Sequence, residues 1–211
     1  DIGNVIQSLN RLRKNNALVV GSVGTGRRTI VEGLAHQLVF NPPPNKKFTN
    51  ANIFVLNTHT LMAGAKFQGE IEERLKGVAN ELGEIPNAIL YIEDLHITTS
   101  TGRGSSDMSA ALKSMLSSGK FRCIARESTE NYRRYTQKES DYDALFQKIN
   151  VSEPSVAETY DMVETHRVRI EEGQEVTFRK EALKACTDLA ARHIHGAALP
   201  GKAVDLAEEV A

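Results

Sequence analysis

Short apolar runs alternate with stretches of helical spacing through the first 150 residues of this chain, and beyond residue 153 the runs stop. The runs lie at 17–20, 52–56, 88–92, 121–125 and 148–151, and their alternation with helices is the signature of a parallel sheet in an α/β fold. Between them, Ile30, Val31, Leu34, Ala35, Leu38 and Val39 share one helical face over 29–40. Ile71, Leu75, Val78, Ala79 and Leu82 mark a second helix, and Met108, Ala111, Leu112, Met115 and Leu116 a third. Three prolines at 42–44 break the chain after the first of these, and 98–107, rich in Ser, Thr and Gly, predicts a loop. After Glu153-Pro154 helical patterns dominate, among them 181–193 and 202–210. The division predicts a large α/β subdomain over 1–152 and a small helical one over 153–211. No internal repeat is visible.

The first run leads into Gly21-Ser22-Val23-Gly24-Thr25-Gly26-Arg27-Arg28-Thr29. Gly21 and Gly26 match the G-x-x-x-x-G frame of a phosphate-binding loop, in the strand-then-helix context that such a loop requires. Its glycines let backbone N–H groups point at phosphates, at the positive end of the following helix. The Lys and Ser/Thr that should follow are Arg27 and Arg28. Arg27 keeps a positive charge, but a planar guanidinium does not substitute freely for a compact ammonium. Arg28 removes the hydroxyl that binds Mg²⁺, and Thr29 stands one residue late, rotated by roughly 100° around the helix. Only a slip of one residue would restore Thr29 to that role. Gly21, Gly24, Thr25, Gly26, Arg27, Arg28 and Thr29 are therefore the candidate phosphate-binding set, ATP or ADP the candidate ligands, and Mg²⁺ doubtful. Two cations at a helix start are disfavoured by the helix dipole. They could face an anionic ligand, stand solvated, or in the case of Arg28 pair with Glu93 or Asp94 in place of a metal.

The second half of such a site is an apolar strand ending in Asp-Glu, where Asp holds Mg²⁺ and Glu polarises the attacking water. Here the order is inverted, Ile89-Leu90-Tyr91-Ile92-Glu93-Asp94. Each carboxylate is displaced by about one methylene, and a misplacement of roughly 1 Å can cost about a hundredfold in rate. Glu93 and Asp94 are the candidate catalytic pair, in an impaired arrangement. The plainer reading is that they cap a strand end near solvent.

Composition narrows the field. With 211 residues, 40% hydrophobic and 25% charged, the chain has material for a sizeable core and a smaller second domain. A net charge of -1 argues against a generally basic nucleic-acid binder. No apolar stretch approaches the roughly 18 to 20 residues needed to span a bilayer, and no signal peptide stands at the N-terminus. Membrane and nucleic acid are thus not expected partners. Cys123 and Cys186 fit no metal spacing and predict buried free thiols in a reducing compartment. The six histidines, His36, His59, His96, His166, His193 and His195, form no ligand-like cluster, so no metal site is expected. The chain opens at Asp1 and stops at Ala211 inside an apparent helix, which reads as a fragment of something larger.

Longer blocks carry a family resemblance. Asn15-Asn16 before the first run and Ile30-Val31-Glu32-Gly33-Leu34-Ala35 after the loop resemble the first ATPase module of Clp-type AAA+ unfoldases, the ClpA, ClpB and ClpC group. Ala63-Gly64-Ala65-Lys66-Phe67-Gln68-Gly69-Glu70-Ile71-Glu72-Glu73-Arg74-Leu75-Lys76 is similar to that family's A-G-A-K-Y-R-G-E-F-E-E-R-L-K. Leu95-His96, Arg122-Cys123-Ile124, Tyr132-Arg133, Phe146-Gln147, Glu153-Pro154-Ser155-Val156 and Lys202-Ala203-Val204-Asp205-Leu206 extend the match over nearly the whole chain. The resemblance implies a P-loop AAA+ large subdomain followed by a small lid, truncated here. It further implies a hexameric ring of like or related subunits that pulls polypeptide substrates through a pore, with a peptidase or adaptor as a possible further partner. In the family an aromatic on a pore loop grips the substrate backbone. The matching position is Phe67, within Lys66, Phe67, Gln68 and Gly69, and 98–107 falls where a second pore loop would lie. The implied setting is the cytoplasm or an organelle interior, such as a plastid stroma or mitochondrial matrix.

The departures from the family pattern cluster where its chemistry should be. Its Arg-Arg-Phe, which supplies arginine fingers to the neighbouring subunit, is here Ala144-Leu145-Phe146. Its Gly-Ala-Thr-Thr, whose Thr senses the γ-phosphate, is here Ala125-Arg126-Glu127-Ser128, and Glu127 would bring negative charge toward a phosphate. Scaffold kept while chemistry is lost implies a pseudo-ATPase module that serves ring assembly and substrate gripping. The alternatives are a weak but genuine ATPase unfoldase domain, and a regulatory docking domain that threads nothing.

Overall fold

The computed structural model describes residues 1–64, 68–99 and 106–211. In chain order the elements are α1 (Ile2–Leu9), β1 (Asn16–Gly21), α2 (Arg27–Phe40), β2 (Ile53–Leu56), α3 (Thr58–Met62), α4 (Gln68–Glu84), β3 (Ile89–Ile92) and α5 (Ser106–Ser117). There follow β4 (Arg122–Ser128), α6 (Thr129–Arg134), α7 (Ser140–Leu145), β5 (Phe146–Val151), α8 (Val156–Gln174), α9 (Lys180–His193) and α10 (Gly201–Glu209). The five strands form one parallel sheet in the order β2-β3-β4-β1-β5. Each strand falls on one of the five apolar runs.

Two compact units result. The first comprises residues 1–20 and 28–150, and the second 21–27 together with 151–211. In the first, alternate strand residues Leu18, Val20, Leu90, Ile92, Cys123 and Ala125 pack with Leu75 and Leu82 of α4 and Met108 and Leu112 of α5. Asn16, almost fully buried, ties the start of β1 to its neighbours: its Nδ2 donates to Leu145 O at 3.1 Å and its Oδ1 accepts from Cys123 N at 2.8 Å. The spacing predicts β4 to end at 125, but it continues through Arg126–Ser128. Glu127 follows Cys123 and Ala125 on the same strand face, and its carboxylate is fully buried.

In the second unit α8, α9 and α10 enclose Val163, Ile170, Leu183, Cys186, Leu199, Ala203 and Ala207. A capping box opens α8: Ser155 Oγ accepts from Glu158 N at 3.2 Å, and Glu158 Oε2 accepts from Ser155 N at 2.8 Å. Ser155→Ala is expected to cost about 1 kcal/mol, read as a lowered urea midpoint. The segment 21–27 joins this unit although a division at 152/153 leaves it in the large subdomain, because lid backbone holds it directly. Ala198 N donates to Val23 O at 2.8 Å, and Gly201 N donates to Gly24 O at 2.9 Å. Both cysteines are free and buried. Among the described residues no helix is long and apolar enough to cross a membrane.

Candidate nucleotide site

The glycine loop is built by close approach. At Gly21 an added Cβ would lie 2.6 Å from Thr25 Oγ1 and 2.9 Å from Val151 O. At Gly24, with φ +96°, it would lie 2.4 Å from Ala198 O. Gly26 has φ +80° with open space around it. These left-handed conformations suit glycine alone, and they fold the loop tightly enough for Thr25 Oγ1 to donate to Ser22 O at 2.9 Å. With the carbonyls of Val23 and Gly24 turned to lid amides, the loop keeps the strand–glycine–helix backbone that suits a phosphate.

Glu153 steadies the lid side of this latch. Its Oε1 accepts from Leu199 N at 2.7 Å and lies 3.8 Å from Lys202 Nζ, which also donates to Ile194 O at 3.1 Å. Sequence reading assigned Glu153 and Lys202 only to family blocks. Nothing local in the sequence marks them as partners, since they stand 49 positions apart.

Arg27 and Arg28 stand where a phosphate-binding loop carries Lys and Ser/Thr. Helix α2 starts at Arg27 with no acidic residue in its first turn. Arg28 Nε pairs with Glu32 Oε1 at 3.0 Å, one turn along, with both side chains mostly exposed. Of the alternatives for Arg28, pairing with Glu93 or Asp94 gives way to this pair with Glu32. The i,i+4 geometry offers a nearer carboxylate, and the helix start is relieved by a few tenths of a kcal/mol at most. Thr29 is exposed on the same turn.

In the first unit Glu93 and Asp94 directly follow β3, both partly exposed. Glu93 Oε1 lies 3.4 Å from Arg126 Nη2. Asp94 precedes the 3₁₀ turn Leu95–Thr98 without a side-chain cap bond. The Tyr91 hydroxyl on β3 is buried and has no hydrogen-bond partner among the described residues. Burial pushes it up to about 12, with Arg126 pulling the other way.

The expectation that Glu127 points negative charge at a phosphate is also corrected. Its side chain is fully buried, accepts from Thr136 Oγ1 at 2.5 Å and lies 3.3 Å from His96 Nδ1. His96 in turn meets Asn131 Nδ2 at 3.3 Å and stacks on Tyr135. Ser128 caps α6 by accepting from Asn131 N at 3.1 Å. Replacing Glu127 by Thr leaves buried donors unpaired, so a loss of about 1–3 kcal/mol is expected, checked by equilibrium unfolding in urea.

Asp143 and Ala144 are exposed at the end of α7, while Phe146 is buried at the start of β5. Neither of the two residues before Phe146 is a cation. Lys66 and Phe67 lie outside the described residues, as do 100–105 of the loop 98–107. Gln68 and Gly69 open α4. Arg74, further along that helix, donates to Leu61 O at 2.7 Å and Ala63 O at 2.9 Å, bracing the turn at Gly64. Among the described residues no group of three His, Cys, Asp or Glu is placed to hold a metal ion.

A parallel five-stranded sheet, a glycine loop between β1 and α2, and acids after β3 define a P-loop type of nucleotide-binding domain, here with a helical lid. The chain belongs to the AAA family: the model for the ATPase family associated with various cellular activities matches residues 17–125, and that for the AAA lid domain matches 155–211. It is 37% identical over 211 residues to chaperone protein ClpB of Oceanobacillus iheyensis, covering 99% of this chain and 26% of that protein. It is 36% identical to the negative regulator of genetic competence ClpC/MecB of Bacillus subtilis, again over 99% of this chain and 26% of that one. Among solved structures, the Hsp104–ADP complex of S. cerevisiae superposes with a TM-score of 0.89 at 33% identity, over 98% of this chain and 36% of that one. The Hsp104–casein complex in its extended conformation gives 0.88 at 32%. The chain thus spans about a quarter of the length of the Clp relatives it matches.

Proposed function

We propose that this chain is a Clp-type AAA+ module that holds nucleotide, if at all, without hydrolysing it, and serves ring assembly and the gripping of polypeptide substrates. The observation that carries this reading is the Arg28–Glu32 ion pair, which stands where the family places the Mg²⁺-binding hydroxyl. The Glu93–Arg126 pair and the exposed Ala144 in place of a finger support it. The glycine loop would take the phosphates on its backbone, and Arg27 would supply positive charge. ATP supplies the γ-phosphate whose hydrolysis drives such modules. Here Glu93 and Asp94, in inverted order, are poorly matched to a water and a metal.

Kinship to Clp and Hsp104 proteins supports polypeptide substrates and like or related ring subunits in a hexamer, and a peptidase or adaptor is a further proposed partner. The proposed setting is the cytoplasm or an organelle interior. A weak ATPase is the second reading, favoured by the intact left-handed glycines Gly24 and Gly26. Isothermal titration of ATP and ADP, with and without Mg²⁺, separates the two. Binding that is indifferent to Mg²⁺, or no binding, agrees with the proposal, and tight Mg²⁺-dependent ATP binding with phosphate release overturns it.

Gripping by Lys66, Phe67, Gln68 and Gly69 has its own test. Within an assembled ring, Phe67→Ala is expected to slow unfolding of a tagged substrate at least about tenfold, and Phe67→Tyr to leave it nearly unchanged, since both aromatic residues present similar apolar surface.

A further inference from the structure

The amino-terminal ends of β1, β3 and β4 carry a concentration of positive charge that the chain's net charge of -1 conceals. A cavity of about 180 Å³ there is lined by Lys47, Lys120 and Arg122 together with Asn15 and Asn87. A larger cleft of about 1010 Å³ shares Asn15 and Gly119 with it, and adds Arg11, Arg13 and Lys14. Among the described residues six cations line the two spaces, and no carboxylate does.

Arg122 is the unusual member. It is 7% exposed, and its Nη2 donates to Lys47 O at 2.5 Å and Asn87 O at 3.4 Å. Its guanidinium lies 5.1 Å from the Phe48 ring centroid, while its Nη1 is buried with no hydrogen-bond partner among the described residues. A buried guanidinium with an idle donor and no counter-ion is costly unless something anionic completes it. Burial correspondingly holds its pKa below the usual arginine value. Lys47 Nζ donates to Asn10 O at 2.9 Å, at the end of α1, while its backbone carbonyl meets Arg122.

We propose that this edge of the sheet is an anion site for a phosphorylated ligand, one phosphoryl group seated among Arg122, Lys120 and Lys47 and the rest of the ligand in the cleft of Arg11, Arg13 and Lys14. Three cations around so small a space match a compact, multiply charged phosphoryl group better than a single carboxylate. The glycine loop follows the carboxyl end of β1, whereas this site lies at the amino ends of the strands, so the two are distinguishable by mutation.

The test is calorimetric titration of the protein with pyrophosphate at low and moderate salt, comparing two double variants. Arg13→Glu with Lys120→Glu changes exposed side chains of the proposed site, and Arg27→Glu with Arg28→Glu changes the loop. The expected result is a salt-weakened binding component that falls about tenfold or more in the first variant and persists in the second, whatever the loop itself contributes. Absence of binding to the wild-type protein overturns the inference, as does a loss confined to the loop variant. Binding of an oligonucleotide that pyrophosphate fails to displace also overturns it. Arg122→Gln is the stricter variant, and if it does not fold, the surface pair decides.

Discussion

Gly24→Ala is expected to be the most damaging single-methyl change in this protein, lowering unfolding free energy by about 3 kcal/mol or more. Two costs add at this position. A left-handed φ of +96° costs an L-residue about 1–2 kcal/mol. The new Cβ would sit 2.4 Å from Ala198 O and 3.0 Å from Ala198 N, a backbone clash that must push 23–24 off 198–201 and costs about 1–3 kcal/mol more. The bonds from Ala198 N to Val23 O and from Gly201 N to Gly24 O lie across that same approach. Gly201→Ala carries the steric cost alone, since its added Cβ would meet Gly24 Cα at 2.8 Å and Gly24 O at 2.9 Å. Gly26→Ala carries the conformational cost alone, with φ +80° and nothing within 4 Å. Urea unfolding of the three variants should rank Gly24→Ala clearly below the other two. Equal losses at Gly24 and Gly26 would mean that the latch between loop and lid contributes nothing. Nucleotide affinity, where present, should fall with stability at Gly24 and Gly201, because the same bonds set the loop's shape.

Much of this architecture was legible because it rests on composition over short windows. The strands of a sheet packed on both faces are apolar throughout, so the runs at 17–20 and 88–92 located β1 and β3 closely. Helices α2, α4 and α5 showed themselves through a single apolar stripe. The short helices α6 and α7 did not, being polar segments of six residues each that bury only Tyr132 and Tyr142. Helix α8 buries Thr159, Val163 and Ile170 out of nineteen residues, too sparse a stripe to stand out among its charges. The glycine frame was equally plain in the sequence, but the latch was not, since it joins backbone groups about 175 residues apart. Glu127 shows a different shortfall. The family pattern puts it toward phosphate, whereas β4 runs three residues past its apolar run and carries Glu127 onto the face of Cys123 and Ala125.

Restoring the chemistry should require two separate repairs. With Arg27→Lys, Arg28→Thr, Glu93→Asp and Asp94→Glu, the loop regains an ammonium and a hydroxyl and the acids regain the family order. The Arg28–Glu32 pair removed in doing so is exposed and worth only about 0.3–0.5 kcal/mol, so this variant is expected to fold. It should bind ATP with a clear Mg²⁺ dependence that the wild-type protein lacks, yet release phosphate at close to the background rate. The reason is that Ala144 offers nothing to a γ-phosphate on a neighbouring subunit. Adding Ala144→Arg, at an exposed position that disturbs no core, should then raise turnover on the order of 10³-fold in assembled rings, the scale that arginine fingers supply elsewhere, equivalent to about 4 kcal/mol of barrier. Leu145 is partly buried against the first core, so arginine there would be paid for in stability and is the poorer choice. Steady-state phosphate release, measured across protein concentrations so that assembly is controlled, reads all three proteins side by side. A wild-type rate matching the fully repaired variant would show that Arg27 and the inverted acids already suffice, and the pseudo-ATPase reading would be abandoned.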